Sequence, residues 1–293
     1  MSFPRLAAII VIVGLLQAAV AQATETATCT FDTFTAPTGY SLTVVNGITD
    51  DGTVVGQLLD TSTGQYLAFT YSASGVFTKY TAPASLMTWL YGGNASGTNA
   101  GSYQQSKYPG SMHGFLLQGS QFTAVNHPNA TNTWLFDVNQ LGAAVGSFSS
   151  SPSLVKGFLL VNGKYTTIAH SGAQMTYAQA INNNGLIAGF YVEAGISHGF
   201  TWQNGAFTAI DYPKDKYGTN LVGVNDSGVI AGNYMDGDWT LGFIYDGGVF
   251  KKIVYSGTGV KYTLAGGINN NGVVSGQVIY GGGKSLGYTA LCK

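Results

Sequence analysis

Apolar and polar residues alternate in short runs along this chain, and each run is closed by glycine, asparagine or proline. Runs of this length and period predict short β-strands joined by tight turns. The clearest unit is AINNNGLIAGFYVEAGISHGFTWQNGAFTAIDYP, from Ala180 to Pro213. Its glycines Gly185 and Gly189 recur as Gly52/Gly56, Gly97/Gly101, Gly142/Gly146, Gly228/Gly232 and Gly272/Gly276. Successive first glycines stand 45, 45, 43, 43 and 44 residues apart, and the spacing within the pair never changes. Asn precedes the first glycine by three residues at Asn94, Asn139, Asn182, Asn225 and Asn269, while Thr49 takes that place in the first copy. A Gly-Phe step follows at Gly114-Phe115, Gly157-Phe158, Gly199-Phe200 and Gly242-Phe243. It becomes Ala68-Phe69 in the first copy and Gly287-Tyr288 in the last. Six copies of a unit of about 44 residues account for this register.

Each copy divides into four strands, a to d. Strand a ends at the Asn, and the N-x-G that follows is turn chemistry that tolerates positive φ. Strand b carries the glycine pair, whose missing side chains let a neighbouring backbone approach closely. Strand c carries Gly-Phe, and a short turn such as Gln203-Asn204-Gly205 leads to strand d. Pro37, Pro83, Pro128 and Pro213 each follow a strand d, as suits an outermost strand that must stop. The expectation is an all-β chain, a six-bladed β-propeller of four-stranded antiparallel blades. The sixth copy stops one strand short, at Lys293, and 29–37 resembles the strand d of the first copy. The N-terminal strand is therefore expected to close the last blade. Aligned on the other copies, Cys29 and Cys292 fall where the c–d turn would be, and a disulfide between them is predicted.

Residues 1–23 read as an export leader: Arg5, an apolar run from Leu6 to Leu16, then small residues with Ala21-Gln22-Ala23. Cleavage after Ala21 or Ala23 would leave one domain, 24–293, and an uncleaved anchor is the alternative reading. Export also sends both cysteines to an oxidising compartment, extracellular or periplasmic. Charged residues make up 9% of the chain and the formal net charge is −1, so no basic patch exists to hold nucleic acid. No membrane contact after cleavage and a monomeric state are expected.

The pattern I-N-x-x-G-x-[IV]-[AV]-G…H-G-F…G-x-F-T-x-[IL]-D-x-P resembles the bacterial extracellular repeats called the HAF family. The match is strongest from Ile181 to Pro213, with His198-Gly199-Phe200 and Asp211 in place. It fades in the first copy, and Lys156 replaces the His in the third. The resemblance implies a secreted bacterial repeat protein and brings no catalytic residues with it.

Candidate chemistry is sparse. The a–b and c–d turns are short and uniform, whereas the b–c loops and d–a links vary and share the opposite face, where binding usually resides. Aromatic residues on the d–a links are the ligand-binding candidates: Tyr40, Trp89, Tyr91, Trp134, Phe136, Tyr177, Tyr217 and Tyr262, with Trp239 from a b–c loop. Flat rings beside amides and hydroxyls suit sugars, although packing between blades would equally explain them. His113, His127, His170 and His198 lack the clustered partners a metal needs, and Asp236-Gly237-Asp238 is only part of a calcium loop. No metal or cofactor is expected. Turn capping explains Asp50, Asp51, Asp137 and Asp226. These features favour a secreted binding module for a carbohydrate or protein partner. The alternatives are a hydrolase or lyase using channel carboxylates, and a purely structural or adhesive surface protein.

Overall fold

A computed structural model describes residues 24–105, 111–151, 153–213, 215, 217–237 and 239–293, the side chain of Trp239 excepted. The expected leader, 1–23, lies outside the described residues. Every element among them is a strand. β1 (Thr24–Thr26) and β2 (Cys29–Phe34) open the chain. β3 (Tyr40–Ile48), β4 (Val54–Asp60), β5 (Tyr66–Tyr71) and β6 (Phe77–Tyr80) then pair antiparallel in sequence order. The same order recurs in β7 (Met87–Gly93), β8 (Thr98–Gln104), β9 (Met112–Gln118) and β10 (Gln121–Ala124). It recurs again in β11 (Asn132–Val138), β12 (Ala144–Ser151), β13 (Leu154–Val161) and β14 (Lys164–Ile168). β15 (Met175–Ile181), β16 (Ile187–Glu193), β17 (Ile196–Gln203) and β18 (Ala206–Ala209) form the fourth unit. β19 (Thr219–Val224), β20 (Ile230–Asp236), β21 (Trp239–Asp246) and β22 (Val249–Lys252) form the fifth. β23 (Val260–Ile268), β24 (Val273–Tyr280) and β25 (Ser285–Cys292) take β2 as their fourth strand, so the last unit joins both ends of the chain.

Single parallel contacts, Tyr66 with Met87, Val155 with Met175 and Leu241 with Thr263, merge the units pairwise into three sheets. β1, which the repeat pattern does not foretell, adds a parallel strand outside β22. Cys29 and Cys292 face each other at the end of the β2–β25 ladder and are joined by a disulfide, as expected from the alignment.

The repeat landmarks have separable causes. The sequence reading puts both glycines of the pair on strand b, but the structure divides them. Gly185 sits in the turn after β15 at φ +75°, where a Cβ would be strained. Gly189 lies within β16, where a Cβ would run into the carbonyl oxygen of Tyr177. The Asn before the turn does the most. Asn182 Oδ1 accepts the N–H groups of Asn184 (3.0 Å) and Leu186 (2.9 Å), which shapes its own turn. Its Nδ2 donates to the carbonyl of Asn225 in the next unit at 2.9 Å. The same outward bond runs from Asn94 to Asn139, Asn139 to Asn182, Asn225 to Asn269, and Asn269 to Thr49. These amides are buried, so their hydrogen bonds are obligatory.

A threonine stands nine residues before the turn glycine in every copy: Thr43, Thr88, Thr133, Thr176, Thr219 and Thr263. In five of them the hydroxyl accepts the N–H of a residue near the start of the preceding link: Ala82, His127, His170, Tyr212 and Tyr255. This fixes how each link re-enters the next unit. The core is correspondingly divided. Six apolar clusters lie between neighbouring units, and one of them, with Phe34 against Leu42, Val54 and Phe69, joins the last unit to the first.

Asn182→Ala removes three buried hydrogen bonds, and a loss of about 2–4 kcal/mol is expected in urea unfolding. A loss below about 1 kcal/mol would mean the Asn contacts do not hold the units together. The disulfide closes a sequence separation of 263 residues. Reduction or Cys29→Ser should therefore cost up to about 5 kcal/mol, seen as a lowered urea midpoint; an unchanged midpoint would remove its stabilising role.

Candidate functional site

The first strand of every unit breaks register at the same place: Val45/Gly47, Leu90/Gly92, Leu135/Asp137, Ala178/Ala180, Leu221/Gly223 and Ala265/Gly267. A bulge of this kind leaves one residue outside the ladder and re-aims its side chain. The residues skipped are Asn46, Tyr91, Phe136, Gln179, Val222 and Gly266, each six before its turn glycine. They line a channel enclosed by the first strands. Sequence reasoning missed this set as a set. The available signal was a fixed offset at which residue type changes freely between a constant threonine and a constant turn glycine.

The channel has two unlike ends. Near the turns that follow the first strands, a cavity of about 70 Å³ is lined by Asp50, Asp137, Asn183, Asp226 and Asn270 among others. Sequence reading treats these Asp residues as turn caps, and Asp51 is one, accepting the N–H of Thr53 at 3.0 Å. Asp50 and Asp226 instead bridge units. Asp226 accepts the backbone and side-chain N–H groups of Asn183, both at 2.8 Å, and the side-chain amide of Asn270 at 2.9 Å. Asp50 accepts both N–H groups of Asn270 at 2.9 Å.

Asp137 is neither cap nor bridge of this kind. It occupies a position held by Gly or Ala in every other unit. Its Oδ1 accepts the N–H of Val138 at 2.9 Å, and its Oδ2 accepts that of Ile181 in the next unit at 3.0 Å. Burial pushes its carboxyl up to about 7 against the pull of these N–H donors, and the charge of Asp50 adds to the rise. Burial likewise raises the Tyr91 phenol.

The other end of the channel holds a cavity of about 260 Å³, lined by Asn46, Tyr91, Gln179, Phe190, Asn220, Asn233 and Gln277 among others, with no charged side chain among the described residues of its wall. This is the side of the b–c loops and the links between units.

The aromatic candidates are placed differently from the sequence expectation, which put them on the links. Seven lie within first strands: Tyr40 in β3, Trp89 and Tyr91 in β7, Trp134 and Phe136 in β11, Tyr177 in β15 and Tyr262 in β23. Strand a begins earlier than the link pattern suggested, so these rings stand within the sheets. Phe136 is buried, and Trp89, Trp134 and Tyr262 are half-buried. Tyr91 meets Phe136 edge-on at 5.1 Å, Tyr177 stacks on Phe190 at 4.7 Å, and Lys79 Nζ sits 4.4 Å over the Tyr40 ring. Tyr217 stands on a link and is 53% exposed. Trp239 opens β21, but its side chain lies outside the described residues, as does Asp238.

The histidines pack. His127 stacks on Phe148 at 3.6 Å, and burial lowers its pKa; His170 stacks on Tyr191 at 3.8 Å. His198 Nδ1 meets Asp211 Oδ2 at 2.9 Å, and Asp211 Oδ1 also accepts the Gly199 N–H, which ties the H-G-F step to the following strand. Among the described residues, no three His, Cys, Asp or Glu side chains cluster closely enough to hold a metal ion.

No known family's sequence profile matches the chain, and no curated protein sequence matches it. Solved structures do. The six-bladed β-propeller lectin of Aleuria aurantia, described with a novel fucose recognition mode, is 13% identical at a TM-score of 0.53, covering 90% of this chain and 91% of its own. A gluconolactonase of Xanthomonas campestris is 12% identical at 0.51, covering 86% and 87%. The propeller domain of the trilobed protease of Pyrococcus furiosus, described as having an open velcro topology, is 8% identical at 0.52, covering 85% and 95%. At such identities the likeness carries the fold alone, and that fold is a β-propeller.

Asp137 gives a pH signature. The raised folded pKa means the native state keeps a proton that the unfolded chain releases near pH 4. Its contribution to stability is complete below about pH 4 and is lost as pH rises through about 7. Asp137→Asn also loses one of the two N–H partners, a cost that does not vary with pH. The stability difference between variant and wild type should therefore shift in favour of the variant between pH 4 and 7 and level off above. A difference that stays flat across urea midpoints from pH 3.5 to 8 would show that Asp137 titrates normally.

Proposed function

We propose that this chain is an exported HAF-type repeat protein of bacterial origin, a six-bladed β-propeller closed by its N-terminal strand, that serves as a binding module for an extracellular glycan or protein. The six antiparallel four-strand pairings and the contacts of the last unit with the first support the blade count. The paired cysteines suit an oxidising compartment. No described helix is long and apolar enough to cross a membrane.

One observation carries the binding role. Asn46, Tyr91, Phe136, Gln179, Val222 and Gly266 share one structural position yet differ in type, while the Thr and Gly around them are constant. A uniform scaffold that presents a different side chain per repeat is the arrangement recognition needs, since function resides in sites grafted on folds. The low charge of the chain favours an uncharged partner.

A hydrolytic reading has one observation in its favour. Asp50, Asp137 and Asp226 line the same end of the channel, with the Asp137 carboxyl pushed up to about 7 by burial and by the Asp50 charge. Paired carboxyls held in different protonation states are the usual acid–base arrangement.

The test is a glycan array probed with the protein spanning 24–293, followed by assay of each bound glycan for turnover. Binding without turnover is expected. Turnover abolished by Asp137→Asn would replace the binding reading with the hydrolytic one, and an array without any bound glycan would remove the glycan reading.

A further inference from the structure

We propose that the wide end of the channel, walled by residues of the first, second, fourth, fifth and sixth units, is a pocket for one neutral polyhydroxylated ring, such as a hexose at the end of a glycan. This rests on the binding reading above and assigns it a site. The cavity of about 260 Å³ falls just below the roughly 300–1,000 Å³ typical of pockets for drug-sized ligands, so it suits a single ring.

The pocket lies where the repeat breaks its own rule. The residue after the strand-b glycine is polar in five units and reaches the first strand of the next one. Gln57 Nε2 donates to the Thr88 carbonyl, Ser102 Oγ accepts from the Leu135 N–H, and Ser147 Oγ donates to the Thr176 carbonyl. Asn233 exchanges two bonds with Ala265, and Gln277 Nε2 donates to the Thr43 carbonyl. In the fourth unit this residue is Phe190. It makes no such link to β19, and its half-buried ring, backed by Tyr177 at 4.7 Å, forms part of the cavity wall. Exchanging a cross-link for a half-buried ring gives up a hydrogen bond for a flat apolar surface, a departure from local consistency of the kind expected at functional sites.

The amides in the wall separate into two groups. Asn233 and Gln277 are committed to holding the next unit, and Asn46 Nδ2 donates to the Leu90 carbonyl at 2.8 Å. Among the described residues, the side chains of Gln179 and Asn220, one on each side of the Phe190 junction, make no hydrogen bond, and Asn220 Oδ1 is buried without a partner. An acceptor buried in this way costs about 1–3 kcal/mol until a donor arrives. An apolar ligand would leave that cost in place. A charged ligand would lose its hydration with no counter-charge among the described residues of the wall. A ring with hydroxyls at its edge and C–H groups on its face satisfies Asn220 and Gln179 and lies against Phe190.

The experiment is isothermal titration with the methyl glycoside of the best array hit. Phe190→Gln, which restores the link found in the first and last units, and Asn220→Leu should each weaken binding at least tenfold. Both should unfold at or above the wild-type temperature, the first because a cross-link is regained and the second because an unpaired acceptor is lost. Tyr217→Ala, on the exposed link, should bind as wild type, and a uronic acid version of the same glycoside should bind at least tenfold more weakly. Wild-type affinity in both Phe190→Gln and Asn220→Leu, with loss in Tyr217→Ala, would overturn the pocket and leave the binding module standing. If one of the two fails to fold, the other decides. A wild-type protein that binds no glycan would overturn both the pocket and the glycan reading beneath it.

Discussion

The structure depends on a buried amide that cannot leave any of its hydrogen bonds unmade. The Asn three residues before each turn glycine uses its oxygen to shape its own turn and its nitrogen to grip the backbone of the next unit. Local turn geometry and assembly of the ring therefore share one side chain, and neither is complete without the other. Five such bonds link Asn94 through Asn269 to Thr49. The junction between the first and second units has none, because the Thr49 hydroxyl is engaged at home with Asp51 and Thr53. Two other amides cover that junction, Asn46 to the Leu90 carbonyl and Gln57 to that of Thr88.

Closing the ring is a separate problem, and the chain ends solve it together. β2 fills the outer position of the last unit, the disulfide locks its final pair, and β1 continues across to β22. The backbone of Thr28 and Lys293 exchanges hydrogen bonds in both directions just beyond the disulfide. Because the apolar core is split into six wedges, no single cluster holds the ring. Opening one junction exposes two faces, and the covalent clasp guards the β2–β25 pair inside the last unit, which no turn joins as one joins the third and fourth strands of the other units.

With the scaffold held this way, the channel is free to differ from repeat to repeat. Its turn-side end gathers carboxylates bridged by Asn183 and Asn270, and its loop-side end is neutral and lined by amides and rings. Asp137 and Phe190 mark the two departures from the repeat that matter most. One puts an acid where the other units have no side chain beyond a methyl, and the other puts a ring where they have a polar cross-link.

The repeat period, the strand content, the turn glycines, the meeting of the chain ends and the Cys29–Cys292 pairing were all legible along the chain, because each follows from local spacing or from counting strands. The role of the invariant threonines was written there too, yet it becomes visible only once the N–H groups they receive are seen. The aromatic candidates were recognisable as a group, but their location was not, since where a link ends and a strand begins is set by contacts with the preceding unit. The bulge that turns Asn46, Tyr91 and Gln179 inward, the raised pKa of Asp137 and the unpartnered oxygen of Asn220 were beyond the sequence. Each depends on what a neighbouring unit some 44 residues away places against that atom. Sequence periodicity specifies the unit, whereas burial and hydrogen-bond satisfaction are properties of pairs of units, and only the closed ring decides them.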